Sequence, residues 1–132
     1  VFFAFGFGLT SNWAKASYNG EYFLLRKLKT EGRDYSQWAP LAPVGMGVSI
    51  KANSRLSFLL ESTVYFAYTD YLDDVSTVYP NIDDLPNDIA RALSDRGVEL
   101  GFPAKLPGMK RGNSGRDDSY LILSFKMEFL LF

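Results

Sequence analysis

The last fourteen residues, Ser119 to Phe132, alternate in polarity with a period of two. Leu121, Leu123, Phe125, Met127, Phe129 and Leu131 share one parity, and Ser124, Lys126 and Glu128 share the other. A helix would scatter those six apolar residues around its circumference. A strand sends alternate side chains to opposite faces and gathers them into one wall. The segment is therefore expected to be a strand with one apolar face and one face that is polar near its middle. Such a wall has to be covered, by a protein core or by lipid.

Three other segments repeat the pattern. In Val1 to Thr10, Val1, Phe3, Phe5, Phe7 and Leu9 oppose Phe2, Ala4, Gly6, Gly8 and Thr10. In Val44 to Lys51, Val44, Met46, Val48 and Ile50 oppose Gly45, Gly47, Ser49 and Lys51. In Arg55 to Thr69, Leu56, Phe58, Leu60, Val64, Phe66 and Tyr68 oppose Arg55, Ser57, Glu61, Thr63 and Thr69; Ser62 interrupts the apolar set, and Leu59 and Tyr65 interrupt the polar one. Glycine weakens a strand, yet Gly6, Gly8, Gly45 and Gly47 all lie on the face that elsewhere carries Glu61, Lys126 and Glu128. A narrow, polar barrel interior accounts for both the small residues and the charges. A soluble antiparallel sheet with its polar face in water has the same periodicity, and alternation alone does not separate the two.

Composition narrows the chemistry. Aromatic residues make up 16% of the chain, which suits β-structure and the aromatic girdles of a membrane barrel. The net charge of −1 gives no global field for nucleic acid. With neither cysteine nor histidine in the sequence, disulfides, thiolate metal sites, thiol catalysis and histidine-based triads are all excluded. No apolar run reaches the ~18–20 residues of a spanning helix.

The connections add a direction. A tight turn, Lys51-Ala52-Asn53-Ser54-Arg55, joins the second and third strands, whereas Ser11 to Pro43 and Asp70 to Asp118 are long. Outer-membrane barrels have short periplasmic turns and long external loops. The expected fold is therefore all-β: a transmembrane antiparallel up-and-down β-barrel of about eight strands. The chain, 1–132, is read as a single outer-membrane barrel domain supplying the C-terminal four strands, with long extracellular loops and a short loop helix. Four strands alone cannot close, and open edges in hydrocarbon are prohibitive. Val1 lies already inside a strand, which places the N-terminal half of the expected barrel outside this sequence.

Within the loops, Arg26, Lys27 and Lys29 form a small basic cluster, read as a solvated face, with a lipopolysaccharide-facing patch as the alternative. Asp70, Asp73 and Asp74 either collect a hard cation or cap local turns; the second reading is preferred, and no metal or catalytic residue is assigned. Pro86 to Gly97 is expected to be a short helix, with Pro86 in its first turn and Gly97 at its end. Arg111 to Asp118 reads as a polar turn.

The run Thr69-Asp70-Tyr71-Leu72-Asp73-Asp74-Val75-Ser76, followed by Tyr79, resembles the signature of a Bacteroidetes outer-membrane β-barrel family that includes the PorG-type component of the type IX secretion system. Lys29-Thr30-Glu31-Gly32, the Val44 to Thr69 layout, and Arg111-Gly112-Asn113 ahead of the last strand are similar to further elements of that family. The resemblance implies a cell outer membrane location, no catalysis and no cofactor. It implies a membrane anchor, a structural component of protein transport, in contact with outer-membrane lipid and with periplasmic ring proteins and lipoproteins. Such contacts would use the Lys51 to Arg55 turn and the terminal strand. The alternatives are a barrel of the same family with an envelope-structural or small-solute transport role, a membrane-embedded hydrolase built on Asp, and a soluble lipid-binding barrel with the apolar face inward.

Overall fold

The structure is a computed structural model that describes residues 1–131. Phe132, the terminal aromatic residue of the sequence, lies outside the described residues. The elements in order are β1 (Phe2–Phe5), β2 (Gly8–Ser11), β3 (Lys15–Tyr18), β4 (Glu21–Leu24), α1 (Leu25–Leu28), β5 (Trp38–Lys51), β6 (Leu56–Ala67), α2 (Asp88–Ser94) and β7 (Ser119–Phe129). Two short 3-10 turns flank α2. The chain is mostly antiparallel β-sheet with few helices, and it divides into two compact units.

The first unit, Val1–Thr10, Pro40–Tyr68 and Asp118–Phe132, is one sheet ordered β1-β5-β6-β7, with β2 also paired to β5. The register puts the expected wall on a single face. Phe3 pairs with Met46 and Phe5 with Val44. Val44, Val48 and Ile50 pair with Val64, Leu60 and Phe58. Val64, Ser62, Leu60, Phe58 and Leu56 in turn pair with Leu121, Leu123, Phe125, Met127 and Phe129. Directly paired residues point the same way, so the wall runs across the whole sheet, interrupted in β6 at Ser62. Among the described residues nothing in the unit covers it: Leu123 is 70% exposed and Phe125 69%.

The other face carries the small and polar residues. Lys126 Nζ meets Glu61 Oε2 at 3.0 Å, and Thr63 Oγ1 donates to Glu61 Oε1 at 3.1 Å. Tyr65 and Tyr120 stack with centroids 4.9 Å apart. The strand glycines are explained by close approach: the Phe2 ring lies across Gly47, and a Cβ at Gly45 would lie 2.5 Å from Thr63 Oγ1.

Several boundaries differ from the sequence reading. The expected first strand is two strands, broken at Gly6 and Phe7. Gly6 N–H donates to Pro43 O at 3.1 Å, but Pro43 has no N–H to return the bond, so the ladder lapses on that side of β5 while the β5–β6 pairing continues. The second strand starts earlier, at Trp38. Lys51 is not in the turn; it is the last ladder residue of β5, paired with Ser57. The turn is Ala52 to Arg55, closed by Asn53 Oδ1 accepting from Arg55 N (2.8 Å) and Leu56 N (2.9 Å).

The second unit comprises Ser11–Ala39 and Thr69–Asp117, the two long connections. A β3–β4 hairpin turns at Asn19 (φ 51°) and Gly20 (φ 84°), the Asn-Gly pair favoured where both central residues need positive φ. Leu28 of α1, Leu85, and Ala90 and Leu93 of α2 form its core, with Ala16, Tyr18, Phe23, Leu25 and Ile89 against it. The expected loop helix exists but starts later: Asn87 caps it, its side chain accepting from Ala90 N at 2.8 Å, so Pro86 lies outside the first turn. It ends at Ser94, capped by Asp95. Gly97 instead begins the following 3-10 turn, Val98–Leu100.

Candidate functional site

The most highly organised polar site in the second unit is built from three separated segments: 29–32, 69–77 and 111–113. Glu31 is its hub. Its carboxylate accepts from Ser76 N (3.0 Å), from Thr77 N, from Thr77 Oγ1 (2.7 Å) and from Tyr71 OH (3.2 Å). Arg111 Nη1 lies 3.1 Å from Glu31 Oε1 and donates to Asp74 O at 2.8 Å. Both side chains of this ion pair are buried.

Asp74 is the second buried acid. It adopts a left-handed backbone conformation (φ 68°). Thr30 Oγ1 donates to one carboxylate oxygen, and Tyr35 OH donates to the other at 2.5 Å. The Tyr35 ring stacks on Tyr71, centroids 4.3 Å apart. The Asn12 side-chain amide donates to Tyr71 O, and Ser94 Oγ donates to Thr30 O at 2.7 Å, tying α2 to the cluster.

Burial raises the Glu31 pKa, but the donors from Ser76, Thr77 and Arg111 outweigh it and hold the carboxyl below its ordinary range. Burial dominates at Asp74 and pushes it up, against the donors from Thr30 and Tyr35. Tyr35 is pushed well up by burial and by its bond to Asp74. The two acids carry opposite linkage signs. Glu31 contributes stability above the ordinary glutamate pKa of ~4.3, and that contribution is lost as pH falls through its lower folded value. Asp74 favours the folded state below the ordinary aspartate pKa of ~3.9, and that preference is lost as pH rises through its higher folded value. Protease resistance of the second unit is therefore expected to peak at mildly acidic pH and to fall on both sides. Asp74→Asn should remove the neutral-side decline and leave the acid-side one.

These acceptors face donors of the chain itself, so the cluster works as a latch between segments. Of the three loop acids, for which local capping is preferred over a cation site, Asp73 is exposed and its Oδ1 accepts from its own turn, Val75 N, at 3.1 Å. Asp74 is occupied as described, and Asp70 Oδ2 is buried without a hydrogen-bond partner. Among the described residues no three acidic side chains gather as a metal-ligand set. Of the basic cluster, Arg26 Nη2 donates to Gln37 at 3.4 Å and Lys29 pairs with Asp34 at 2.7 Å.

The signature residues Tyr71, Asp74 and Ser76 thus lie in the latch, while Leu72 and Val75 are half-buried beside it. Residue chemistry alone gave no sign of the Glu31–Arg111 pair, since Arg111 belonged to a stretch that read as a polar turn. Gly112 has a specific reason there: a Cβ would lie 2.6 Å from the Ser76 carbonyl carbon and oxygen. Backbone atoms cannot give way cheaply, so Gly112→Ala is expected to destabilise this unit by ~1–3 kcal/mol, measurable as a lower midpoint in urea-dependent proteolysis. Gly115→Ala, whose Cβ would meet only the Asn113 side chain at an ordinary 3.8 Å, is the control.

No family model, curated protein or solved structure matches the chain.

Proposed function

We propose that the chain is part of a transmembrane antiparallel up-and-down β-barrel of about eight strands in a cell outer membrane. It serves there as a non-enzymatic anchor of the type IX protein secretion machinery. The observation that carries the membrane reading is the uncovered wall of Phe, Leu, Ile, Val and Met side chains across β1, β5, β6 and β7. Exposed apolar patches on soluble monomers rarely exceed a few hundred Å², and a wall that spans a whole sheet calls for lipid. The opposite face fits a barrel interior, with Lys126 and Glu61 paired across neighbouring strands. Strands of 11 to 14 residues in β5, β6 and β7 reach or exceed the ~9–11 needed to cross a bilayer at a tilt. The sheet has open edges at β1 and β7, and in hydrocarbon these must be paired by further strands.

Support for the secretion role is the resemblance of segments 29–32, 69–76 and 111–113 to the PorG-type family, sharpened by their meeting in one latch. The tight Ala52 to Arg55 turn is the expected contact for the periplasmic ring and its lipoprotein.

Affinity purification of the tagged protein from native outer membranes tests this role. Recovery of periplasmic ring components is the expected result. Recovery as a membrane protein without any secretion component would instead assign an envelope-structural or small-solute transport role.

A further inference from the structure

The second unit also holds a cavity that shares only Ser94 with the latch. It has a volume of about 310 Å³, at the lower end of the range for small-molecule sites and enough for roughly ten non-hydrogen atoms at ~30 Å³ each. Tyr18, Tyr79, Pro80, Ile82, Leu85 and Val98 are the large apolar and aromatic side chains of its wall. Leu85 belongs to the core beneath, but folding does not close over the rim of the wall: Ile82 remains 53% exposed and Val98 51%. Apolar side chains that line a concavity yet stay in water are what an apolar ligand would cover.

Four charged side chains border the cavity, and their hydrogen bonds distinguish them. Both Asp95 oxygens are occupied, one by Gly97 N (3.2 Å) and one by Lys105 N (2.8 Å). Glu99 is paired with Arg96 at 3.0 Å. Arg91 is committed to Asp88 (2.8 Å) and to Ile82 O (3.2 Å). The Lys105 ammonium has no carboxylate within ion-pair distance among the described residues and lies exposed at the border. The unengaged strong donor is thus a cation beside an apolar cleft. We infer that this cavity is a binding site for a small amphiphile, an apolar body of about ten heavy atoms ending in one anionic group such as a carboxylate. The body would lie against Tyr79, Ile82 and Val98, and the anion against Lys105. This site stands independently of the secretion role.

The test uses the protein in phosphatidylcholine nanodiscs, titrated calorimetrically with decanoate, and with decanol as the uncharged counterpart; empty nanodiscs supply the blank. Saturable binding of decanoate above the blank is expected, tighter than decanol by roughly tenfold, the scale of one charge-assisted contact. Lys105→Glu should weaken decanoate by at least about that factor while leaving decanol unchanged. Ala92→Trp, which places an indole in the cavity wall, should remove binding of both. Lys105 is exposed, so its replacement spares the fold, and unchanged protease resistance verifies this. Absence of saturable binding by the unmodified protein would overturn the inference, as would equal decanoate affinity in the unmodified, Lys105→Glu and Ala92→Trp proteins.

Discussion

Phe125→Arg is expected to block stable insertion of the sheet into the outer membrane. Phe125 lies mid-strand, opposite Leu60 and stacked on Phe58 at 5.9 Å, in the middle of the apolar wall. A guanidinium there would have to sit in hydrocarbon, at a cost of ~2–4 kcal/mol near the midplane. One residue earlier the outcome reverses. Ser124 is paired with Glu61 on the other face, so Ser124→Arg introduces a cation beside a carboxylate and should insert nearly as well as the unmodified protein. Heat-modifiable mobility and protease protection in isolated membranes read both variants. Equal insertion, or equal failure, of the pair would contradict the assignment of faces.

Glu31→Ala should have the largest effect on the second unit. The substitution strips the acceptor from a buried guanidinium, from the N–H groups of Ser76 and Thr77 and from two hydroxyls. Breaking a buried pair by removing one partner costs ~3–5 kcal/mol, because the remaining charge stays buried and uncompensated. Limited proteolysis should then cleave within Ser11–Ala39 and Thr69–Asp117 while the paired strands stay protected. The double variant Glu31→Ala, Arg111→Met should recover part of the loss, since the orphaned cation is gone. A double variant no more resistant than Glu31→Ala alone would show that the pair is not the source of the effect.

The sheet was legible in the sequence because its signal is local. Period-two alternation in Leu121 to Phe129 and in Leu56 to Phe66 specifies which residues share a face, and the register aligns those faces across strands, whereas Leu131, expected on the same wall, lies beyond the end of β7. Boundaries were less legible where a single residue acts across strands. Pro43 interrupts the neighbouring strand at Gly6, which no inspection of Val1 to Thr10 alone would reveal. The latch was the least legible feature. Glu31, Asp74 and Arg111 are far apart in sequence, and their pairing depends on a tertiary arrangement that periodicity does not encode. Asp70, Asp73 and Asp74 looked alike as a run of acids, yet burial separates them: Asp74 is 1% exposed, whereas Asp73 faces solvent. The long connections read as loops because the β3–β4 hairpin and α1 are only four residues each, too short to build a periodic signal.

The membrane assignment can be tested most directly by measuring what surrounds each face of β7. The sequence contains no cysteine, so single replacements at Leu121, Ile122, Leu123, Ser124, Phe125 and Lys126 each give one spin-label site. In native outer membranes, labels at 121, 123 and 125 should relax with lipid-soluble oxygen and resist a water-soluble nickel chelate. Labels at 122, 124 and 126 should lack that oxygen response. Strong nickel accessibility at Leu121→Cys, Leu123→Cys and Phe125→Cys would place the apolar wall in water and contradict the transmembrane barrel.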